Sequence, residues 1–207
     1  HAGRKGLLQR AADVLRAGGL IAFPTDTVYG LAAMPADRAA VARIYEVKVR
    51  NAGRPIGLLL CGTARLAEVA VVTEAARPLM RRFWPGGLTL VFQKTAAVVE
   101  EVSLGPTIGV RVPDLPLACD LIRAGGGILA VTSANRSGEL SPLTAADVLE
   151  QLGDKIELLI DGGPCRGGVP STVLDCTVWP PVVLRHGAVA ESDIRAVLDR
   201  AARPSSK

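Results

Sequence analysis

Six polar segments stand at the ends of apolar stretches, and each carries side chains able to hold or polarise a ligand. The first, Phe23-Pro24-Thr25-Asp26-Thr27-Val28-Tyr29-Gly30-Leu31, puts two threonines, an aspartate and a tyrosine into one turn. Such residues either satisfy local backbone groups or hold a small polar molecule. The second, Lys48-Val49-Arg50-Asn51-Ala52-Gly53-Arg54, follows a helical pattern. An extended course would place Lys48, Arg50 and Arg54 on one face, where guanidinium forks and a mobile ammonium suit a polyphosphate. A solvated helix C-terminus attracting cations is the plainer alternative. The third, Thr107-Ile108-Gly109-Val110-Arg111, sets a cation in an apolar run. A buried Arg111 needs an anion, either a structural aspartate or a ligand carboxylate. The others are Thr132-Ser133-Ala134-Asn135-Arg136-Ser137-Gly138 with Ser141 shortly after, Gly167-Gly168-Val169-Pro170-Ser171-Thr172-Val173, and Leu184-Arg185-His186-Gly187. Hydroxyls, an amide and small residues let a backbone approach phosphate or a base edge. Each alone is more often just a loop.

The elements that must position these segments follow from periodicity and punctuation. Helical spacing runs from Leu7 to Ala17 and stops at Gly18-Gly19, and Leu20 to Phe23 is a short buried strand. Asp37 caps a helix through Val47, Ile56 to Cys61 is a strand, and Thr73 caps a helix to Trp84 that Pro85-Gly86-Gly87 breaks. Strands Leu88–Phe92 and Thr107–Val112, a helix Leu115–Arg123 and a strand Ile128–Thr132 come next. A helix capped by Thr144, strands at Glu157–Ile160, Ser171–Asp175 and Val182–Arg185, and a helix from Ser192 complete the order. Without strict βαβ alternation, this predicts an α/β chain of α+β type with a twisted mixed sheet and flanking helices.

Composition narrows the function. The chain has 207 residues, 49% hydrophobic and 21% charged, enough to bury a core and too weakly charged for a disordered chain. The longest stretch without a charge, Ala124 to Asn135, is 12 residues and Gly-rich, where a spanning helix needs about 20 apolar residues. With Arg4, Lys5, Arg10, Arg203 and Lys207 set aside, 19 basic residues face 20 acidic ones, which argues against a nucleic-acid surface. The four cysteines lack metal-ligand spacing and read as free thiols of a reducing cytosol, and no metal-binding side chain is expected. There is no Gly-x-x-x-x-Gly-Lys, no Gly-x-Ser-x-Gly, and Gly125-Gly126-Gly127 precedes a strand instead of following one. The expected organisation is a disordered start over residues 1–6, trimmed or expression-derived, one domain over 7–200, and a frayed tail over 201–207.

Taken in order, Pro-Thr-Asp-Thr-Val-Tyr-Gly-Leu, Lys-x-Arg, Pro-Gly-x-Leu-Thr, Gly-Val-Arg-x-Pro, Ser-Ala-Asn-x-Ser-Gly, Ser-Thr-Val-x-Asp and Leu-Arg-x-Gly resemble the YrdC/TsaC family in its single-domain form, from about Leu7 to Leu198. Members are threonylcarbamoyl-AMP synthases. The resemblance implies a YrdC-like fold around a large concave cavity. It implies a cytoplasmic nucleotidyltransferase that converts L-threonine, bicarbonate or CO2, and ATP to threonylcarbamoyl-adenylate and pyrophosphate. Partner proteins then pass the threonylcarbamoyl group to tRNA, and weak contact with tRNA itself stays open. Carried over by motif, Thr27, Arg111, Ser133 and Ser171 are threonine-side positions. Lys48, Arg50, Arg54, Thr107, Asn135, Ser141 and Arg185 are ATP-side positions. Lys48 and Arg50 would be the catalytic cations, helped by Mg²⁺ carried on the ATP phosphates. Asp26 and Asp175 would orient cations or cap loops. One departure is Leu59, where many relatives carry a histidine. A carbamoyl-adenylate-forming transferase domain and an RNA-binding module are the alternatives. As rim cations, Lys48 and Arg50 should tolerate alanine without much loss of stability.

Overall fold

The computed structural model describes residues 2–51 and 53–202. In chain order the elements are α1 (Ala2–Arg16), β1 (Ile21–Phe23), β2 (Gly30–Ala33), α2 (Arg38–Lys48), β3 (Gly57–Leu60), α3 (Leu66–Val69) and β4 (Ala70–Val71). There follow α4 (Ala76–Phe83), β5 (Leu88–Lys94), β6 (Thr107–Arg111), α5 (Pro116–Ala124), β7 (Ile128–Ser133) and α6 (Ala145–Leu152). The last are β8 (Leu158–Leu159), β9 (Thr172–Asp175), β10 (Val182–Arg185) and α7 (Glu191–Ala202).

Among the described residues the ten strands form one mixed sheet in the order β10-β9-β5-β6-β3-β7-β2-β1-β8, with β4 against β5. The pairs β3·β6, β5·β9 and β1·β8 are parallel, and the remaining neighbours are antiparallel. Alternation along each strand splits the apolar side chains between two faces. On one face Leu58, Leu90, Phe92, Ile108 and Val110 form the main core with Ile44 of α2, Leu79 of α4, Val148 of α6 and Ile194 of α7. On the other, Ile21, Phe23, Leu59, Leu129 and Val131 pack against Leu15 of α1 and Leu121 and Ile122 of α5. Each fully buried aliphatic or phenyl side chain contributes about 1.5–3 kcal/mol, so the larger face holds most of the fold.

Helices α1 and α5 reach only the β1–β2–β7–β3 half of that second face. Over β6, β5 and β9 the same face is lined instead by Thr107, Gly109, Arg111, Thr89, Val91 and Val173, and there the sheet opens into a pocket. This uncovered half-sheet is what makes room for a ligand.

Several local expectations need correction. Helix α1 begins at Ala2, so residues 2–6 are helical where a disordered start was expected. The end of the expected tail splits: Ala201 and Ala202 close α7, and residues 203–207 lie outside the described residues. Thr73 does not cap α4, which starts at Ala76 with no side-chain cap; the Thr73 hydroxyl donates to Cys176 O at 3.4 Å instead. Asp37 and Thr144 do cap, Asp37 accepting from Ala40 N and Thr144 forming a capping box with Asp147. Strands β2 and β4 and the short α3 were not foreseen.

Candidate active site

The pocket has a volume of about 320 Å³ and takes its walls from seven of the strands and the loops that flank them. Along β5 and β6 core and pocket residues alternate. In β6, Thr107, Gly109 and Arg111 face the pocket while Ile108 and Val110 enter the core. In β5 the core takes Leu88, Leu90 and Phe92 and the pocket takes Thr89 and Val91. Glycines keep the floor low: a Cβ at Gly57 would meet Gly109 O at 3.3 Å, and one at Gly109 would meet Thr89 Cγ2 at 3.2 Å.

Arg111, only 6% exposed, is the most tightly held group. Its Nε donates to Gly86 O at 2.8 Å, Nη1 to Thr27 Oγ1 at 2.7 Å, and Nη2 to Asp26 Oδ1 at 2.5 Å. Three of five guanidinium N–H groups are thus engaged, leaving two for a ligand. The anion that a buried Arg111 requires is therefore structural, supplied by Asp26. The turn holding Asp26 is fixed by Thr25, whose hydroxyl donates to Val28 O at 2.7 Å and accepts from Thr27 N at 3.1 Å.

Two further arginines line the same pocket. Arg50 donates to Arg54 O at 3.2 Å and Pro55 O at 3.0 Å. Arg185 donates to Ser171 O, at 2.8 Å from Nη2, and to Ser171 Oγ at 3.2 Å. Among the described residues neither is paired with a carboxylate. Burial lowers all three guanidinium pKa values from the ordinary range, Asp26 opposing this at Arg111 and neighbouring guanidiniums adding to it at Arg50 and Arg185. Three mutually repelling cations with one carboxylate among them make a site for anions.

The structure gathers Thr27, Arg50, Thr107, Arg111, Ser133, Ser171 and Arg185 on the pocket wall. Lys48, Arg54, Asn135 and Ser141 are not on it. Arg54 is exposed to solvent. Lys48 is the largest correction, because it is 1% exposed and buried behind the wall. Its ammonium donates to Ser133 O, to Asn135 O at 2.5 Å and to Asn135 Oδ1 at 3.1 Å. Burial, with the Arg50 charge second, pushes its pKa down to about 7. The expected one-sided row of cations fails because α2 runs through Lys48 and Val49 then turns left-handed at φ 51°, which sends Lys48 inward and Arg50 to the pocket. Asn135 is equally occupied: Nδ2 donates to Arg136 O at 2.9 Å and Glu139 O at 2.7 Å, and Oδ1 accepts from Lys48 and from Ser133 Oγ.

Thr25, Tyr29, Thr89 and Thr132 also line the wall and were given no role; Thr89 Oγ1 lies 2.8 Å from Ser171 Oγ. The available signal for Thr89 was a single polar residue inside the apolar run Leu88–Phe92, the same signal that exposed Arg111. Leu59 sits in register with Arg111 on the neighbouring strand and presents an apolar wall there. Among the described residues no three His, Cys, Asp or Glu side chains cluster as metal ligands, and no helix is long and apolar enough to cross a membrane.

The fold that carries this pocket is shared with known proteins. The Sua5/YciO/YrdC family, described as telomere recombination, matches residues 13–187, and the chain belongs to this family. A threonylcarbamoyl-AMP synthase from Pyrococcus abyssi is 44% identical over 190 residues, covering 91% of this chain and 56% of the relative. The Bacillus subtilis protein of the same name is 42% identical over 194 residues, covering 92% and 56%. The chain thus spans little more than half the length of these relatives. Among solved structures, P. abyssi Sua5 complexed with L-threonine superposes with a TM-score of 0.89 at 44% identity, over 92% of this chain and 56% of that one. Escherichia coli YciO gives a TM-score of 0.83 at 30% identity, over 91% and 92%.

Proposed function

We propose that the pocket joins L-threonine, bicarbonate or CO2, and ATP into L-threonylcarbamoyl-adenylate, releasing pyrophosphate. The observation that carries the reading is the convergence of Arg50, Arg111 and Arg185 on one pocket where, among the described residues, Asp26 is the one carboxylate paired with them. Membership of the family, the activity named for its relatives and the L-threonine bound by the P. abyssi protein support it.

In this reading the threonine carboxylate takes the two remaining N–H groups of Arg111, with the hydroxyls of Thr27, Ser133 and Ser171 around the amino acid. The α-ammonium gives up a proton to solvent, the free amine adds to CO2, and a second proton leaves to water, giving a carbamate. A carbamate oxygen attacks the α-phosphorus of ATP as the bond to pyrophosphate breaks. The nucleophile is already anionic, so the chain need not supply a general base; it aligns two substrates and offsets negative charge. Arg50 and Arg185 stabilise the phosphates bidentately, and Thr107 lies on the nucleotide side. The pocket's own polar groups are cations and hydroxyls, a poor donor set for a divalent ion. Mg²⁺ would therefore come with the nucleotide substrate and would offset phosphate charge there, with no side chain of the pocket needed to hold it. The product is a mixed anhydride, which partner proteins would transfer onto tRNA.

Pyrophosphate release from Mg-ATP tests this, with and without L-threonine and bicarbonate, and with L-serine or carbamoyl phosphate as comparisons. Release that requires both L-threonine and bicarbonate is expected. Release with carbamoyl phosphate in their place would move the chain to carbamoyl-adenylate chemistry, and none with any combination would overturn the reading.

A further inference from the structure

We propose that Lys48 is a positioning residue: it locks the turn carrying Ser133 and Asn135 beneath the pocket and makes no contact with the nucleotide. This rests on the reading that the pocket binds L-threonine beside Ser133. The three N–H donors of an ammonium meet three oxygens here, Ser133 O, Asn135 O and Asn135 Oδ1, across 85 residues or more of sequence. No donor is left over for a phosphate. The tie is doubled by the backbone, since Ser137 N donates to Lys48 O at 2.8 Å. Asn135 relays the hold, because the oxygen that accepts from Lys48 also accepts from Ser133 Oγ at 2.5 Å. With its proton committed to Asn135, the Ser133 hydroxyl on the pocket wall is left as an acceptor.

A second observation marks the junction as over-determined. Val49 is β-branched, 75% exposed and left-handed at φ 51°, a conformation costing such a residue about 1–2 kcal/mol. It persists because the chain on both sides is fixed: Lys48 inward on the turn, and Arg50 outward on the carbonyls of Arg54 and Pro55. Of the Lys-x-Arg pair, then, only Arg50 faces phosphate, and Lys48 shapes the wall opposite it.

The decisive comparison is L-threonine binding in the absence of ATP, by calorimetry, for the native chain and Lys48→Met at a temperature where circular dichroism shows both folded. A phosphate ligand has no part in that binding event. A positioning residue does, and its loss is expected to weaken L-threonine binding about tenfold or more, with ATP binding weakened less. Unchanged L-threonine affinity, whether ATP affinity falls or only thermal stability does, overturns the proposal. The second measurement uses the native chain and does not depend on the substrate assignment. Brief acetylation with acetic anhydride, read at each lysine by peptide mass spectrometry with exposed Lys155 as reference, is expected to leave Lys48 unmodified with and without Mg-ATP. Rapid modification of Lys48 that Mg-ATP suppresses would overturn the proposal even if Lys48→Met did not fold. Absent L-threonine binding by the native chain would instead count against the functional reading, and the acetylation result would still decide the role of Lys48.

Discussion

Arg111 carries three protein bonds and still has two N–H groups to offer, so its direction is set before any ligand arrives. Its side chain is 7% exposed and that of Asp26 16%, and removing one partner of such a pair leaves a buried charge uncompensated. Asp26→Asn is expected to cost about 3 kcal/mol and to lower Tm by about 6–12 °C. It should also raise the KM for L-threonine more than that for ATP, because the guanidinium loses its orientation; equal effects on both would refute the assignment. Arg111→Ala should raise the L-threonine requirement selectively in the same assay. The sequence made Arg111 legible, since a cation in an apolar strand must have a partner. It left open whether that partner was an aspartate or a ligand, because Asp26 lies 85 residues away.

The elements work by alternation and by close approach. Strands β5 and β6 divide their residues between core and pocket with a period of two, so one polar residue in an apolar run reveals a wall position. Loops carry no such period, and there backbone contacts decide. A Cβ at Gly167 would stand 2.5 Å from Asp26 O and 2.9 Å from Thr27 Cα, so the 167–173 segment lies backbone to backbone on the turn that orients Arg111. Gly167→Ala must displace one of the two segments. Weaker L-threonine binding is expected, with nucleotide binding less affected, and calorimetric titration of each ligand checks it. Lys48 shows where element-level reading fails. The helical pattern was clear up to Val47, but one residue of left-handed backbone at Val49 reversed the parity assumed for Lys48, Arg50 and Arg54. The same reversal withdraws the expectation that Lys48→Ala would be mild, because a fully buried ammonium with three acceptors is not a rim charge.

Across the whole molecule the buried ionisable groups set the response to alkali. Burial raises the Tyr29 hydroxyl and the Cys176 thiol from 10.0 and 9.0 to about 12 each. Both bind protons more tightly folded than unfolded, so their contribution is intact below pH 9 and is lost as the pH climbs toward 12. Lys48 has the opposite sign: lowered to about 7 from 10.5, it adds stability as the pH rises between those values. Scanning calorimetry should therefore find Tm rising from about pH 7 to 9 and falling above about 10, with Tyr29→Phe flattening the upper fall. The sequence by itself determined the order of most helices and strands, the polar segments between them and, through their ordered motifs, the family. Those properties are local: periodicity, caps and residue types are written in short windows. Only the tertiary structure decided that Asp26 answers Arg111, that Lys48 and Asn135 stand behind the wall, and that α1 and α5 cover just half of one sheet face. Each depends on strand order and backbone direction, which join residues far apart in the chain by pairings that no short window contains.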